Sequence, residues 1–262
     1  MGAEAIDRGL AYGDGLFETM RAHRGTLPWW PRHRARLTAG AGRLGITMPS
    51  DAALDAALSA ALDATPNGVI KLILTRGCGG RGYAPTTGAE PTLIVTSSEG
   101  PAASVEPLAV DLLSLRLGVQ PALAGMKHLN RLEQVLGAGE AAERGLDDGL
   151  MADADGFLTC STRANLFARL DGRWITPPVD RAGVAGVARG VLLDAWSPPG
   201  GLHVMPLLMA VLPRVDALLL SNAVRGILPV GRCGAWALDP RPVGFAEARA
   251  ALAASHPAFR ES

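Results

Sequence analysis

The sequence predicts a mixed α+β protein of two domains, on three observations. Some short apolar runs alternate with a period of two, as a half-buried strand does, and others recur every three or four residues, as an amphipathic helix does. The two kinds of run do not follow the regular strand–helix–strand order of a doubly wound parallel sheet. A stretch bounded by Pro121 and Gly125 interrupts the pattern near mid-chain. We therefore expect an N-terminal domain over 1–120, a linker over 121–125 and a C-terminal domain over 126–262.

Taken in order, Tyr12 to Arg21 opens with glycines and then alternates. Phe17, Thr19 and Arg21 would share one strand face, and Leu16, Glu18 and Met20 the other. Leu27–Trp30 reads as the end of a second short strand. Pro31 suits a first helical turn, and the helix it opens carries His33, Arg36, Leu37 and Leu44 and stops at Gly45. A second helix over Asp51–Ala64 is closed by Pro66-Asn67-Gly68. Strands are expected over Val69–Arg76 and Pro91–Ser97, around a glycine-rich loop, and over Leu108–Leu117. Asn130–Arg144 is helical in pattern. Gly149–Ala152, Phe157–Cys160, Asn165–Leu170 and Arg173–Thr176 read as strands, Val187–Ala195 as a helix, Asp216–Ser221 as extended, and Phe245–Ala254 as a terminal helix.

Composition narrows the function classes. Formal net charge is +0, so no global field draws the chain to nucleic acid or an anionic membrane. The apolar stretch Met205–Leu212 carries Pro206 and is followed by Pro213, far too short to span a bilayer. Glu4, Asp7 and Arg8 near the start, with no apolar segment, do not resemble a secretory signal. Cys78, Cys160 and Cys233 have neither disulfide-framework nor metal spacing. We expect a metal-free cytoplasmic protein.

Of 25 basic residues only Lys71 and Lys127 are lysine. Arginine keeps its charge and is a poor nucleophile, whereas lysine in a suitable site loses its proton and forms a Schiff base. The two lysines are either chance survivors of an arginine-rich composition or amines with a task, and Lys127 is the sharper candidate. The loop Arg76–Tyr83 fits GxGxxG after a strand, but turn residues rather than a helix follow it, which excludes a dinucleotide site. Arg76 and Arg81 in that loop suit a carboxylate, against a plain hairpin loop. Arg36 lies in an arginine-rich helical stretch that by itself reads as a solvated face. Gly186, just before a helix, and Asn222, at a strand end, stand where backbone N–H groups can meet an anion.

In order along the chain, these segments resemble the fold-type IV pyridoxal-phosphate enzymes, a family including branched-chain and D-amino acid aminotransferases and aminodeoxychorismate lyases. Asp7-Arg8-Gly9 and Tyr12–Thr19 are similar to its opening motif, and His33…Arg36-Leu37 to the helix whose arginine holds the cofactor phosphate. Lys127, with Asn130 beyond it, resembles the Schiff-base lysine. Val184–Val187 and Ser221-Asn222-Ala223 resemble the two phosphate-binding turns. Arg76–Tyr83 and Gly125–Gln134 look like the lyase branch, as do Ala188 and Ala223 where aminotransferases commonly carry Thr or Ser. One departure stands out: Cys160 occupies the position of the glutamate that faces the cofactor's pyridine nitrogen.

The resemblance implies a smaller N-terminal α/β sandwich, a larger C-terminal pseudo-barrel and pyridoxal 5'-phosphate in the cleft between them. It implies Lys127 as Schiff base and general base, and Thr19 as a proton donor. Arg36, Val187, Ala188, Asn222 and Ala223 would hold the phosphate, with Cys160 at the ring and Arg76 and Arg81 on substrate carboxylates. The implied activity converts 4-amino-4-deoxychorismate to 4-aminobenzoate and pyruvate, for folate synthesis, in a homodimer. The alternatives are a branched-chain or D-amino acid aminotransferase, or a low-activity cofactor-binding homologue because of Cys160.

Overall fold

The alternation in Gly15–Arg21 becomes a strand whose Leu16, Glu18 and Met20 are buried while Phe17, Thr19 and Arg21 are half-buried. Around it, a computed structural model describes residues 6–80, 82–85, 88–101 and 106–260. The chain forms two units, one of residues 1–101 with 126–130, the other of 102–125 with 131–262. The division differs from the expected one. Leu108–Leu117 pairs with strands of the second unit, and Met126–Asn130 belongs to the first.

The first unit opens with a short helix, α1 (Arg8–Tyr12), capped by the Asp7 carboxylate on Gly9 N. Strand β1 (Gly15–Arg21) pairs antiparallel with β2 (Val69–Thr75), which pairs with β3 (Thr92–Ser98). Helix α2 (Trp30–Leu44) packs on β1, burying His33, Leu37, Gly40 and Ala41. It ends at Gly45, whose φ of 64° is the left-handed conformation expected of that glycine. Helix α3 (Asp51–Ala64) starts where Ser50 Oγ accepts from Ala53 N, and packs on β3 and β2. The expected second strand at Leu27–Trp30 is absent. Arg24 and Gly25, both at positive φ, form instead a tight turn between His23 and Thr26 that feeds directly into α2.

The second unit is a closed barrel. β4 (Leu108–Leu117) joins β5 (Asp148–Asp153), then β6 (Leu158–Ser161), β7 (Asn165–Leu170), β10 (Ala217–Asn222) and β11 (Gly226–Cys233), which returns to β4. β8 (Arg173–Thr176) and β9 (Leu202–Val204) extend the sheet from β7. Alternate residues fill one core, among them Val110, Leu150, Leu158, Leu166, Leu218, Leu220, Leu228 and Val230, the period-two signature of a barrel. Helix α4 (Leu132–Glu143) covers β4 and β5, and Cys160 belongs to the separate cluster with Leu113, Met151 and Ala141. Helices α5 (Val187–Ala195) and α6 (Phe245–Ser255) pack together. No helix among the described residues is long and apolar enough to cross a membrane.

Candidate active site

Lys127 is built into the first unit by its backbone. Its carbonyl accepts from Phe17 N at 2.9 Å, and Gly15 O accepts from Leu129 N at 2.9 Å, so residues 127–129 run along β1 as an extra edge. The Lys127 ammonium lies over the Phe17 ring, 4.2 Å from its centroid. Beyond it, Asn130 Nδ2 donates to Gly13 O at 3.1 Å. A Cβ on Gly13 would stand 2.4 Å from Asn130 Oδ1, and its φ is 66°, so only glycine fits. The two sequence motifs therefore meet in one place.

Behind β1 lies a charged cluster. Glu18 Oε2 is 2.6 Å from His33 Nδ1 and Glu18 Oε1 accepts from Arg36 Nε at 2.9 Å, with a second contact between Arg36 Nη2 and Oε2. Glu18 and His33 are each 1% exposed. Burial by itself would raise the Glu18 pKa, but hydrogen bonds from His33 and Arg36 and the arginine's charge hold it below the ordinary value. Burial pushes His33 down, against the pull of Glu18. The consistent state is a neutral His33 donating through Nδ1 to a carboxylate that Arg36 already balances. Arg36 is thus oriented by Glu18, a residue whose signal in the sequence was a carboxylate among the core-facing Leu16 and Met20.

Arg76, expected on a substrate carboxylate, is a strut of the first unit. It is 8% exposed, donates to Asp14 at 2.7 and 3.2 Å, and closes the end of α2 through Leu44 O and Gly45 O. Asp14 also accepts from Arg8, whose guanidinium holds the glycine loop through Gly82 O and Tyr83 O. Two cations on one carboxylate explain why Asp14's pKa is lowered despite burial. Arg81 lies outside the described residues. Thr19 is half-buried on β1, directly across from Lys71 on β2.

In the second unit, no side chain caps α5, so the N–H groups of its first turn, at Val187 and Ala188, stand at the positive end of a helix dipole. Asn165, expected only as the first residue of a strand, shapes this turn: its Nδ2 donates to Val184 O at 2.9 Å, and a Cβ on Gly186 would come within 1.9 Å of its Oδ1. Asn222 uses its Oδ1 on Val224 N and Arg225 N, at 3.0 and 2.8 Å, and so builds the turn that contains Ala223. Burial pushes the Cys160 thiol up to about 12, against the opposing Arg131 guanidinium, so it is a neutral group at physiological pH.

A family model described as amino-transferase class IV matches residues 15–233. The chain belongs to that family. Its members are pyridoxal-phosphate enzymes of fold type IV, and the sandwich and the closed barrel are that fold. The chain is similar to the 4-amino-4-deoxychorismate lyase from Pseudomonas aeruginosa, with 40% identity, TM-score 0.84, and coverage of 97% of this chain and 96% of that one. It is 34% identical over 230 residues to an aminodeoxychorismate lyase of Vibrio harveyi, covering 86% of this chain and 84% of the relative. It is 26% identical over 237 residues to a D-alanine aminotransferase of Bacillus licheniformis, covering 86% and 80%.

Within the family frame, the residues present fit the cofactor. Lys127 is a primary amine set on an aromatic face, suited to the aldehyde. The start of α5, which no side chain caps, suits the phosphate dianion. Where the resemblance implies a glutamate, this chain carries Cys160, a neutral thiol.

Proposed function

We propose that this enzyme is a pyridoxal-phosphate-dependent lyase converting 4-amino-4-deoxychorismate to 4-aminobenzoate and pyruvate, a step toward folate. The observation that carries the reading is Lys127, fastened along β1 with its ammonium over Phe17. Likeness over nearly the whole chain to lyases at 40% and 34% identity supports this branch over transamination. Bound cofactor supplies an electron sink for the bond electrons of the substrate carbon that bears nitrogen. With the cofactor bound, Lys127 would act as general base on the proton at that carbon. Thr19, on the Phe17 face of β1, or Lys127 itself, returns a proton to the departing enolpyruvyl group. Arg36, Val187, Ala188, Asn222 and Ala223 are assigned to the phosphate, Cys160 to the ring, and Arg81 to a substrate carboxylate. Arg76 drops out of that last role because its donors are held by Asp14, Leu44 and Gly45.

A neutral group at the ring nitrogen weakens the sink, which penalises transamination more than an elimination driven by forming an aromatic ring. We take the enzyme to work in the cytoplasm as a homodimer. Leu132, Val135 and Leu136 on α4, 75%, 62% and 62% exposed, are consistent with a covered face in the assembly. The deciding experiment incubates holoenzyme with 4-amino-4-deoxychorismate and assays pyruvate and 4-aminobenzoate, with D-alanine and leucine as controls. Equimolar release of both products is expected. Conversion of either amino acid to its keto acid, without that release, would establish an aminotransferase instead.

A further inference from the structure

Of the buried arginines, Arg8 and Arg76 share the Asp14 carboxylate. Arg189, the third residue of α5 and 7% exposed, meets neutral oxygens instead. Its Nε donates to Thr176 Oγ1 at 3.1 Å and its Nη2 to Pro177 O at 2.9 Å, and among the described residues no carboxylate forms an ion pair with it. Thr176 Oγ1 itself donates to Leu166 O at 2.8 Å, which leaves it only acceptor capacity toward Arg189. Burial lowers the pKa of the guanidinium, with no acidic group opposing the shift. The position adds to the cost, because a cation in the first turn of a helix opposes the helix dipole. Side chains there lean toward the N-terminus, and Arg189 Cβ would stand 3.6 Å from a Cβ on Gly186, so its stem flanks the turn that no side chain caps. On β10, against which α5 packs, Ser221 lies directly across from Asn165, whose amide holds that turn at Val184 O. Ser221 is fully buried, and its Oγ has no hydrogen-bond partner among the described residues.

Helix dipole, buried guanidinium and unpartnered hydroxyl all favour a negative charge at the start of α5. We propose that Arg189 is a positioning residue for the cofactor phosphate, a fixed positive charge behind the first turn of α5 that the bound dianion balances. The assignment rests on that turn as the phosphate site. Because Nε and Nη2 are held by Thr176 and Pro177, Arg189 acts by its charge rather than as a ligand. In an interior that screens charge poorly, such an action reaches beyond contact distance. Neutral acceptors are what this role requires: they fix the guanidinium in place, whereas a carboxylate partner would cancel the field that the phosphate meets. Arg36 differs in this respect, since Glu18 already balances it.

The test compares the native full chain with its Arg189→Met and Arg189→Lys variants, each freed of cofactor and titrated with pyridoxal 5'-phosphate and with pyridoxal, which has the same aldehyde and no phosphate. Near-visible absorbance reads both titrations. We expect Arg189→Met to bind the phosphate form about tenfold more weakly, the scale of a partly buried charge at a helix end. Its affinity for pyridoxal should stay within about twofold of native, a difference well under that scale. Arg189→Lys keeps the charge without the planar fork and should recover most of the loss. Inorganic phosphate should raise the unfolding temperature of the native apoprotein more than that of Arg189→Met. If the methionine variant does not fold, Arg189→Gln, neutral yet able to donate to Pro177 O, takes its place. A purely structural role predicts that both ligands weaken together, in the lysine variant as in the neutral one, and that result would overturn the assignment. A native-sized preference for the phosphate form in the neutral variant would overturn it too, while leaving the phosphate site at α5 intact. Equal binding of both forms by the native protein would remove the phosphate site and the assignment with it. No turnover is involved, so a native enzyme that releases no 4-aminobenzoate yet shows these differences would sink the lyase reading alone.

Discussion

Glu18 holds Arg36 with both carboxylate oxygens, from a strand position buried to 1% exposure. Removing one partner of such a buried pair leaves an uncompensated charge, which costs about 3–5 kcal/mol. Glu18→Ala should therefore lower stability in urea denaturation by that order and weaken cofactor affinity, because Arg36 loses its orientation. Unchanged cofactor affinity in a folded Glu18→Ala protein would remove Arg36 from the phosphate site.

The same cluster sets an acid limit on stability. His33 and Glu18 both have folded pKa values below their ordinary ones. In the interval between folded and ordinary values the unfolded chain binds more protons, so stability rises with pH there. Stability should be full above the ordinary histidine value of about 6.5 and decline as pH falls, first through His33 and then, below about 4.5, through Glu18. Thermal unfolding across that range checks this, and a His33→Asn variant should lose the upper part of the decline.

Lys127→Ala should abolish the near-visible absorbance of the bound cofactor and the release of 4-aminobenzoate. Retention of both would refute Lys127 as the reactive amine. Absorbance spectra and a product assay on the same preparation suffice.

Gly186 has φ −65°, open to any residue, so a substitution there tests packing alone. Gly186→Ala drives its Cβ against Asn165 Oδ1, and Asn165 is tethered to Val184 O. Overpacking of this kind costs about 1–3 kcal/mol. We expect that loss together with weaker cofactor binding, and relief of the strain in the double variant with Asn165→Ala. Equilibrium dialysis of the cofactor and thermal unfolding read the two effects separately.

Cys160→Glu should restore a carboxylate beside the Arg131 guanidinium. The expected result is a shifted cofactor spectrum and measurable transamination of D-alanine or leucine. A spectrum and affinity identical to native would mean that Cys160 does not face the ring.

Much of the architecture is written in local pattern. Val187–Ala195, Asp51–Ala64, Asn165–Leu170 and Arg173–Thr176 have the bounds that periodicity, caps and turn residues predict. β11 escaped, because Gly226, Pro229 and Gly231 read as punctuation. Tertiary pairing with β10 and β4 overrides that, and the register shift between Val230 and Arg232 absorbs Gly231. The division into units escaped for a related reason: β4 and residues 126–130 are assigned by their hydrogen-bond partners, which sequence distance does not reveal.

By itself the sequence determined the α+β class and the family resemblance, and it marked Lys127 as the candidate amine, since composition and contiguous motifs are local properties. Only the tertiary structure decided what the charged side chains do. It committed Arg76 to Asp14, paired Glu18 with Arg36, and brought Lys71 to the ring that Lys127 shares. A charge's role depends on which opposite charge, dipole or ring lies within a few ångströms, and that is a matter of folding rather than of order along the chain.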